Sequence, residues 1–155
     1  MSLDFAVFCR NRPPLEGDHE LGPVRVSAPL NRTDEDSWWL EQIPDAPTSN
    51  PGDWLVHMNC HSSAGEYADY LGTLIAERSG GGWVMCDAGE EAIRVPAKPS
   101  SAKDILPELQ RLMQEAQSRR HEHEARQLEL AKSEYKKAKQ NDPSSHAEAD
   151  DWSDL

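Results

Sequence analysis

Residues 54–87 read WLVHMNCHSSAGEYADYLGTLIAERSGGGWVMCD, and the expected architecture follows from their pattern. Up to His61 the stretch alternates with the two-residue period of a strand. One face of this predicted strand carries Trp54, Val56, Met58 and Cys60, and the other carries Leu55, His57, Asn59 and His61. The pattern therefore predicts a strand with two different faces.

A helix is predicted directly after this strand. Ser63 and Glu66 have the spacing of a capping box, in which each side chain satisfies a backbone amide of the other residue. An apolar stripe then runs from Tyr67 to Ile75 at helical spacing. We expect Gly80-Gly81-Gly82 to end the helix, because glycine adopts the left-handed conformation that follows a helix without a steric penalty. Residues 83–87 predict a buried strand.

A strand, a helix and a second strand in this order can form a right-handed parallel crossover. Residues 3–9 alternate in the same way and predict a first strand, while residues 24–28 and 92–95 are shorter candidates. Gly89 leaves a hairpin before the last strand as an alternative. The sequence therefore predicts an α+β fold, with a small mixed sheet and one or two packed helices.

The C-terminal third predicts a single long, charged helix. Its first part has an apolar stripe that should pack on the sheet domain, formed by Leu106, Leu109, Leu112, Met113 and Ala116. The stripe fails after Ala116, and charge pairs such as Arg120–Glu124 replace it. A helix over residues 105–140 would span about 54 Å, whereas a domain of 100 residues is roughly 35 Å across.

The long helix must therefore project, break near residues 118–123, or pair with another element. A solvated projecting helix is favoured over a coiled coil, because apolar a and d positions do not persist. The predicted organisation is a globular α+β domain over residues 1–117, including the start of the helix. A projecting charged helix follows over 118–140, and a disordered acidic tail occupies 141–155.

The charge of the chain argues against one class of function, nucleic-acid binding. The 155 residues contain 28 acids and 16 bases, which gives a net charge of −12. Such an acidic chain is poorly suited to nucleic-acid binding, which needs clustered Lys and Arg. The absence of an 18-residue apolar run predicts that no segment spans a membrane. The start of the chain lacks the features of a signal peptide, and three widely spaced cysteines fit a reducing cytosol, so we expect a cytoplasmic protein.

Motifs for catalysis or metal binding are weak. His57 and His61 should lie on the opposite strand face from Cys60, and no second ligand pair completes a zinc site. A thiol enzyme that uses Cys60 or Cys86 with a histidine remains a less favoured alternative. We therefore predict no enzyme activity, no catalytic residue, no metal and no cofactor.

The most distinctive polar segment combines acids with adjacent tryptophans. We predict a partner-binding patch that consists of Asp34, Glu35, Asp36, Trp38, Trp39, Glu41 and Asp45. Tryptophan is a preferred binding anchor, and surrounding acids attract a basic partner. The alternative is structural: one tryptophan packs in the core and the other covers a surface groove.

Three segments are similar to the core of a known protein group. These are residues 1–8, residues 54–79 and residues 82–87. Together they resemble the small immunity proteins of bacterial polymorphic-toxin and secretion-delivered effector systems. The resemblance implies a non-enzymatic inhibitor that binds one cognate toxin and covers or distorts its active site. It also implies that the toxin acts in the cytosol.

Two expectations about partners follow. An acidic inhibitor suits a toxin domain with a basic active-site cleft, and no nucleic acid or membrane is expected as a partner. The alternative is an adaptor or scaffold that recruits partners through its long helix and acidic tail. The sequence leaves the oligomeric state open.

Overall fold

The computed structural model describes residues 1–41, 51–88 and 91–141. Its elements confirm the α+β class. The strands are β1 (Ser2–Cys9), β2 (His19–Leu21), β3 (Val24–Val26), β4 (Leu30–Asn31), β5 (Trp54–His61), β6 (Gly82–Cys86) and β7 (Ile93–Val95). The helices are the single turn α1 (Ser37–Leu40), α2 (Gly65–Glu77) and α3 (Leu106–Asn141). The predicted acidic tail beyond residue 141 and the hairpin at Gly89 lie outside the described residues.

The strands form one sheet in the order β2-β3-β5-β1-β6-β7, with β4 paired to β5. All neighbouring pairs among the described strands are antiparallel. The predicted crossover exists, since β5 and β6 run in the same direction and are joined by α2. However, β1 lies between them and pairs with both, so the two parallel strands are not direct neighbours.

One face of the sheet carries the main core. Alternate residues of the central strands, including Phe5, Val7, Val56 and Met58, are buried there with the apolar side of α2. The helix lies very close to the sheet at Gly72, where an added Cβ would be 3.1 Å from Met58 Cε and from Val84 Cγ1. The predicted alternation of residues 54–61 therefore decides which side chains α2 covers.

The opposite face of the sheet has a smaller core. Its buried members are Ala6, Phe8, Leu55 and Met85, and Trp39, Leu40, Trp83 and Ala92 pack against them. The sheet is thus apolar on both faces around its centre, although only one face is covered by the long helices. The tryptophans of α1 and β6 contribute to this second cluster, whereas Trp54 of β5 packs against the main core.

The N-terminal end of α2 differs from the prediction, whereas the C-terminal end confirms it. A 3₁₀ turn, Ser62–Ala64, precedes the helix, and the backbone N–H of Ser63 donates to His61 Nδ1 at 3.2 Å. The predicted cap of α2 at Ser63 is wrong, because the N-cap of α2 is Ala64, whose side chain makes no cap hydrogen bond. His61 instead caps the preceding 3₁₀ turn. At the C-terminal end, Gly80 and Gly81 have φ of 80° and 87°, as the glycine stop requires.

Helix α3 is continuous over 36 residues, so the alternative of a break near residues 118–123 does not occur. Leu109, Met113 and Ala116 are buried in the main core, which confirms the first part of the stripe. Residues Met1–Ala116 form one compact unit, and a second unit begins at Gln117. The helical side chains from 118 to 138 are exposed, and the predicted pair Arg120–Glu124 is present at 3.2 Å.

Candidate functional site

The predicted patch begins where the chain leaves β4 and enters a short helical segment. The backbone N–H of Arg32 donates to the Asp53 carbonyl at 2.8 Å, and Arg32 Nε donates to the Gly52 carbonyl at 2.9 Å. These bonds hold the start of the segment against the chain that enters β5. Prolines at positions 29, 44, 47 and 51 favour irregular structure around this segment, but residues 34–40 form a 3₁₀ turn followed by α1.

Asp36 has a structural task within this segment. Its Oδ2 accepts a hydrogen bond from the Thr33 backbone N–H at 2.8 Å and one from Thr33 Oγ1 at 3.3 Å. In return, the Asp36 backbone N–H donates to the Thr33 carbonyl at 3.1 Å. This reciprocal pairing closes the first turn in the manner of a capping box. The Asp36 carboxylate is therefore already engaged, whereas Asp34, Glu35 and Glu41 are exposed.

The two tryptophans face different environments. Trp39 and its neighbour Leu40 pack against the smaller core cluster on the second sheet face. Trp38 keeps 49% of its surface exposed, and its ring meets that of Trp39 edge to face, with centroids 4.7 Å apart and planes at 80°. Such a pair is a favourable aromatic arrangement. Trp39 thus anchors an aromatic ring that is available to a partner.

We call residues Thr33–Glu41 the Trp–acid loop. Six of the seven predicted site residues lie on this segment, namely Asp34, Glu35, Asp36, Trp38, Trp39 and Glu41. The seventh, Asp45, lies outside the described residues. The structural interpretation applies to Trp39, which packs inward. Trp38 stays accessible, as the binding interpretation requires. The arrangement can bind a surface, since it offers an apolar ring surrounded by negative charge.

The cysteines lie in surroundings that disfavour a thiolate. Cys60 points to the main core, while His57 and His61 belong to the opposite strand face, so neither histidine shares its side of β5. Burial raises the pKa of Cys60, and the nearby Cys86 and Asp69 raise it further. Burial also raises the pKa of Cys9 to about 12. A nucleophilic cysteine needs the opposite shift, which counts against Cys60 as the nucleophile of the thiol-enzyme alternative.

The described residues contain neither a candidate metal site nor a helix that could span a membrane. Within residues 1–41, 51–88 and 91–141, no three His, Cys, Asp or Glu side chains converge as potential ligands of a metal ion. Among the helices that the structure describes, none combines the length and apolar character that a membrane crossing requires.

One cavity of the structure has no counterpart among the sequence predictions. A cavity of about 880 Å³ lies beside the glycine stop of α2 and is lined by Arg10, Arg94 and Trp83, among others. The two arginines are 84 positions apart in the sequence; Arg10 directly follows β1, and Arg94 lies within β7. No local motif marks them, because only the pairing of β1, β6 and β7 brings these strands together.

Comparison with protein-family models, with curated proteins and with solved structures found no match for this chain. The function is therefore inferred from the site itself and from the sequence resemblance.

Proposed function

We propose that this chain is a non-catalytic immunity protein that binds and neutralises a cognate bacterial toxin in the cytosol. The observation that carries the proposal is the half-exposed Trp38 ring, which is held by Trp39 among the exposed carboxylates of the Trp–acid loop. The resemblance of the strand–helix–strand core to immunity proteins supports the same class of function.

The contact chemistry defines the partner. A tryptophan that is already packed against its neighbour loses little conformational freedom on binding, and such rings are frequent hot spots. Asp34, Glu35 and Glu41 surround it with negative charge, and residues 1–100 carry a net charge of −9. We therefore infer a toxin domain with a basic cleft, into which the Trp–acid loop fits, and association that is accelerated by charge.

The test uses the full chain and the toxin encoded beside it. We expect a complex in size-exclusion chromatography and protection of cells that produce the toxin. Trp38→Ala should weaken the complex by about 30-fold or more, because loss of a hot-spot ring costs about 2 kcal/mol or more. Titration calorimetry measures the affinity.

Tyr70→Ala is the matched control, since Tyr70 is an equally exposed aromatic residue on α2 (51% exposed). This variant should bind as the wild type does. A second variant, Asp34→Asn with Glu35→Gln, should slow association and reduce its dependence on salt. Absence of a complex, or equal affinity of the Trp38→Ala and wild-type chains, would refute the proposal.

A second candidate function rests on the exposed part of α3. Leu128, Leu130 and Tyr135 are exposed on this helix, which suits an adaptor that recruits partners along it. A chain that ends at Gln117 separates the two functions. We expect its free energy of unfolding to stay within about 1 kcal/mol of the full chain, because the described side chains from 118 to 138 bury little surface.

Denaturant unfolding followed by tryptophan fluorescence measures this stability. The shortened chain should still bind the toxin if the Trp–acid loop is the binding element. Loss of binding by a shortened chain that remains folded would instead favour the adaptor function.

A further inference from the structure

The cavity beside the glycine stop of α2 lies at one end of the central strands. It is bordered by the residues that follow β1, precede β5 and begin β6, together with the end of β7. Its volume of about 880 Å³ is in the range of small-molecule sites. The cavity and the Trp–acid loop have no lining residue in common, so an inference from it stands apart from the proposed toxin contact.

The cavity wall is cationic although the chain as a whole is strongly acidic. Arg10 and Arg94 both line it, against the single carboxylate of Asp53. Neither guanidinium forms an ion pair with a carboxylate in the part of the chain that the structure describes. Two arginines facing one cavity repel each other unless an anion lies between them. Among the described residues, the lining thus has one more cation than anions, and no carboxylate is ion-paired with either arginine.

The backbone holds both arginines in place. The Arg10 N–H donates to the Gly81 carbonyl at 3.0 Å, which ties the end of β1 to the glycine wall. Arg94 lies directly opposite Trp83 in the β6–β7 ladder, so their side chains share one face of the sheet. The backbone positions of Arg10 and Arg94 are thus fixed by backbone pairing with neighbouring segments.

The other walls fit a flat molecule with a phosphate group. Gly80, Gly81 and Gly82 contribute only backbone to the wall. The space that a Cβ would take at these glycines is already filled by Asn11, by residues 95–97 and by Phe8. The half-buried Trp83 indole offers a planar surface on which an aromatic ring can stack. Guanidinium groups bind phosphate oxygens in a bidentate manner, and a phosphate monoester carries almost two negative charges at neutral pH.

We propose that this cavity binds a small phosphate monoester with an aromatic ring, of the nucleoside monophosphate class. The dianion lies between Arg10 and Arg94, and the ring stacks on Trp83. A phosphate can present a pair of oxygens to each guanidinium, whereas a carboxylate has only two oxygens in all, so the phosphate is the better match in geometry.

The test is a titration of the full ¹⁵N-labelled chain with AMP, adenosine and inorganic phosphate, followed by NMR. AMP should shift the amides of Gly80, Gly81 and Gly82 and the indole N–H of Trp83. Adenosine should bind at least tenfold more weakly because it lacks the anion, and phosphate should also bind more weakly because it lacks the ring.

Arg94→Gln and Arg10→Gln should each weaken AMP binding by at least tenfold. Both side chains are exposed, so the variants are expected to fold, and an unchanged amide spectrum away from the cavity confirms this. Arg25→Gln removes an exposed arginine from β3 and serves as the matched control, with unchanged affinity. No shift with AMP, equal binding of adenosine, or equal affinity in the Arg94→Gln chain would overturn the proposal.

Discussion

Replacing Gly82 with alanine is expected to lower the free energy of unfolding by about 3 kcal/mol, because the new methyl group has no space. Gly82 is paired with Cys9 of β1 and with Val95 of β7, and an added Cβ would overlap the carbonyl oxygen of Phe8. That oxygen is backbone in the central strand and cannot rotate away. The pairing of β1 with β6 must shift instead, and urea unfolding measures the loss.

Gly17→Ala is the matched control. Gly17 has φ of 76°, but an added Cβ there would meet no atom within 4 Å. This variant should lose only about 1 kcal/mol, which is the cost of a left-handed conformation for a residue with a Cβ. The two variants therefore separate a lack of space from a backbone preference. Equal losses would show that the strands can adjust at Gly82.

Leu109→Ala is expected to destabilise the protein by about 2–5 kcal/mol, the range for removing a fully buried leucine. The Leu109 side chain has 0% exposure and packs in the main core, where it joins α3 to the sheet and α2. Thermal and urea unfolding of the full chain measure the effect. The change creates a cavity that the neighbouring Ile105 and Met113 can fill only in part.

The control is Leu128→Ala, the same substitution in the same helix. Leu128 is 57% exposed, so its loss should change the free energy of unfolding by no more than about 0.5 kcal/mol. Both substitutions change helix propensity equally, and the difference between them reports burial alone. A similar loss at the two positions would mean that residues beyond Ala116 also contribute to the core.

The local elements could be predicted from the sequence because their signals lie within a few residues of each other. The alternation of residues 54–61 and the glycines at 80–82 describe β5 and the end of α2 correctly. The stripe at Leu109, Met113 and Ala116 likewise identifies the part of α3 that is buried. In each case the period of the pattern matches the geometry of the element.

The arrangement of the sheet could not be predicted in the same way. Nothing in residues 2–9 shows that they separate β5 from β6, because that pairing depends on contacts between distant parts of the chain. The short strands β2 and β4 were not predicted, because they lack the alternating apolar residues that mark β3 and β7. Their pairing with longer neighbours, and not their own sequence, keeps them extended.

The candidate site was only partly predictable. Adjacent tryptophans predicted that one ring would face inward and the other outward, but not that Trp39 would be the inner one. The helical turn at Asp34–Leu40 was missed because the surrounding prolines indicated an irregular segment. No sequence motif marks the arginines of the cavity, because the segments that bring Arg10 and Arg94 to one cavity are distant in the sequence.

The central position of β1 has a consequence for the order of events during synthesis. Its eight residues are synthesised before their partners in β5 and β6, which extend to His61 and Cys86. Before those residues emerge, a strand rich in apolar side chains has at least one unsatisfied edge, which invites pairing with other chains. The nascent protein therefore completes its sheet late, and a chaperone that shields this strand should increase the yield.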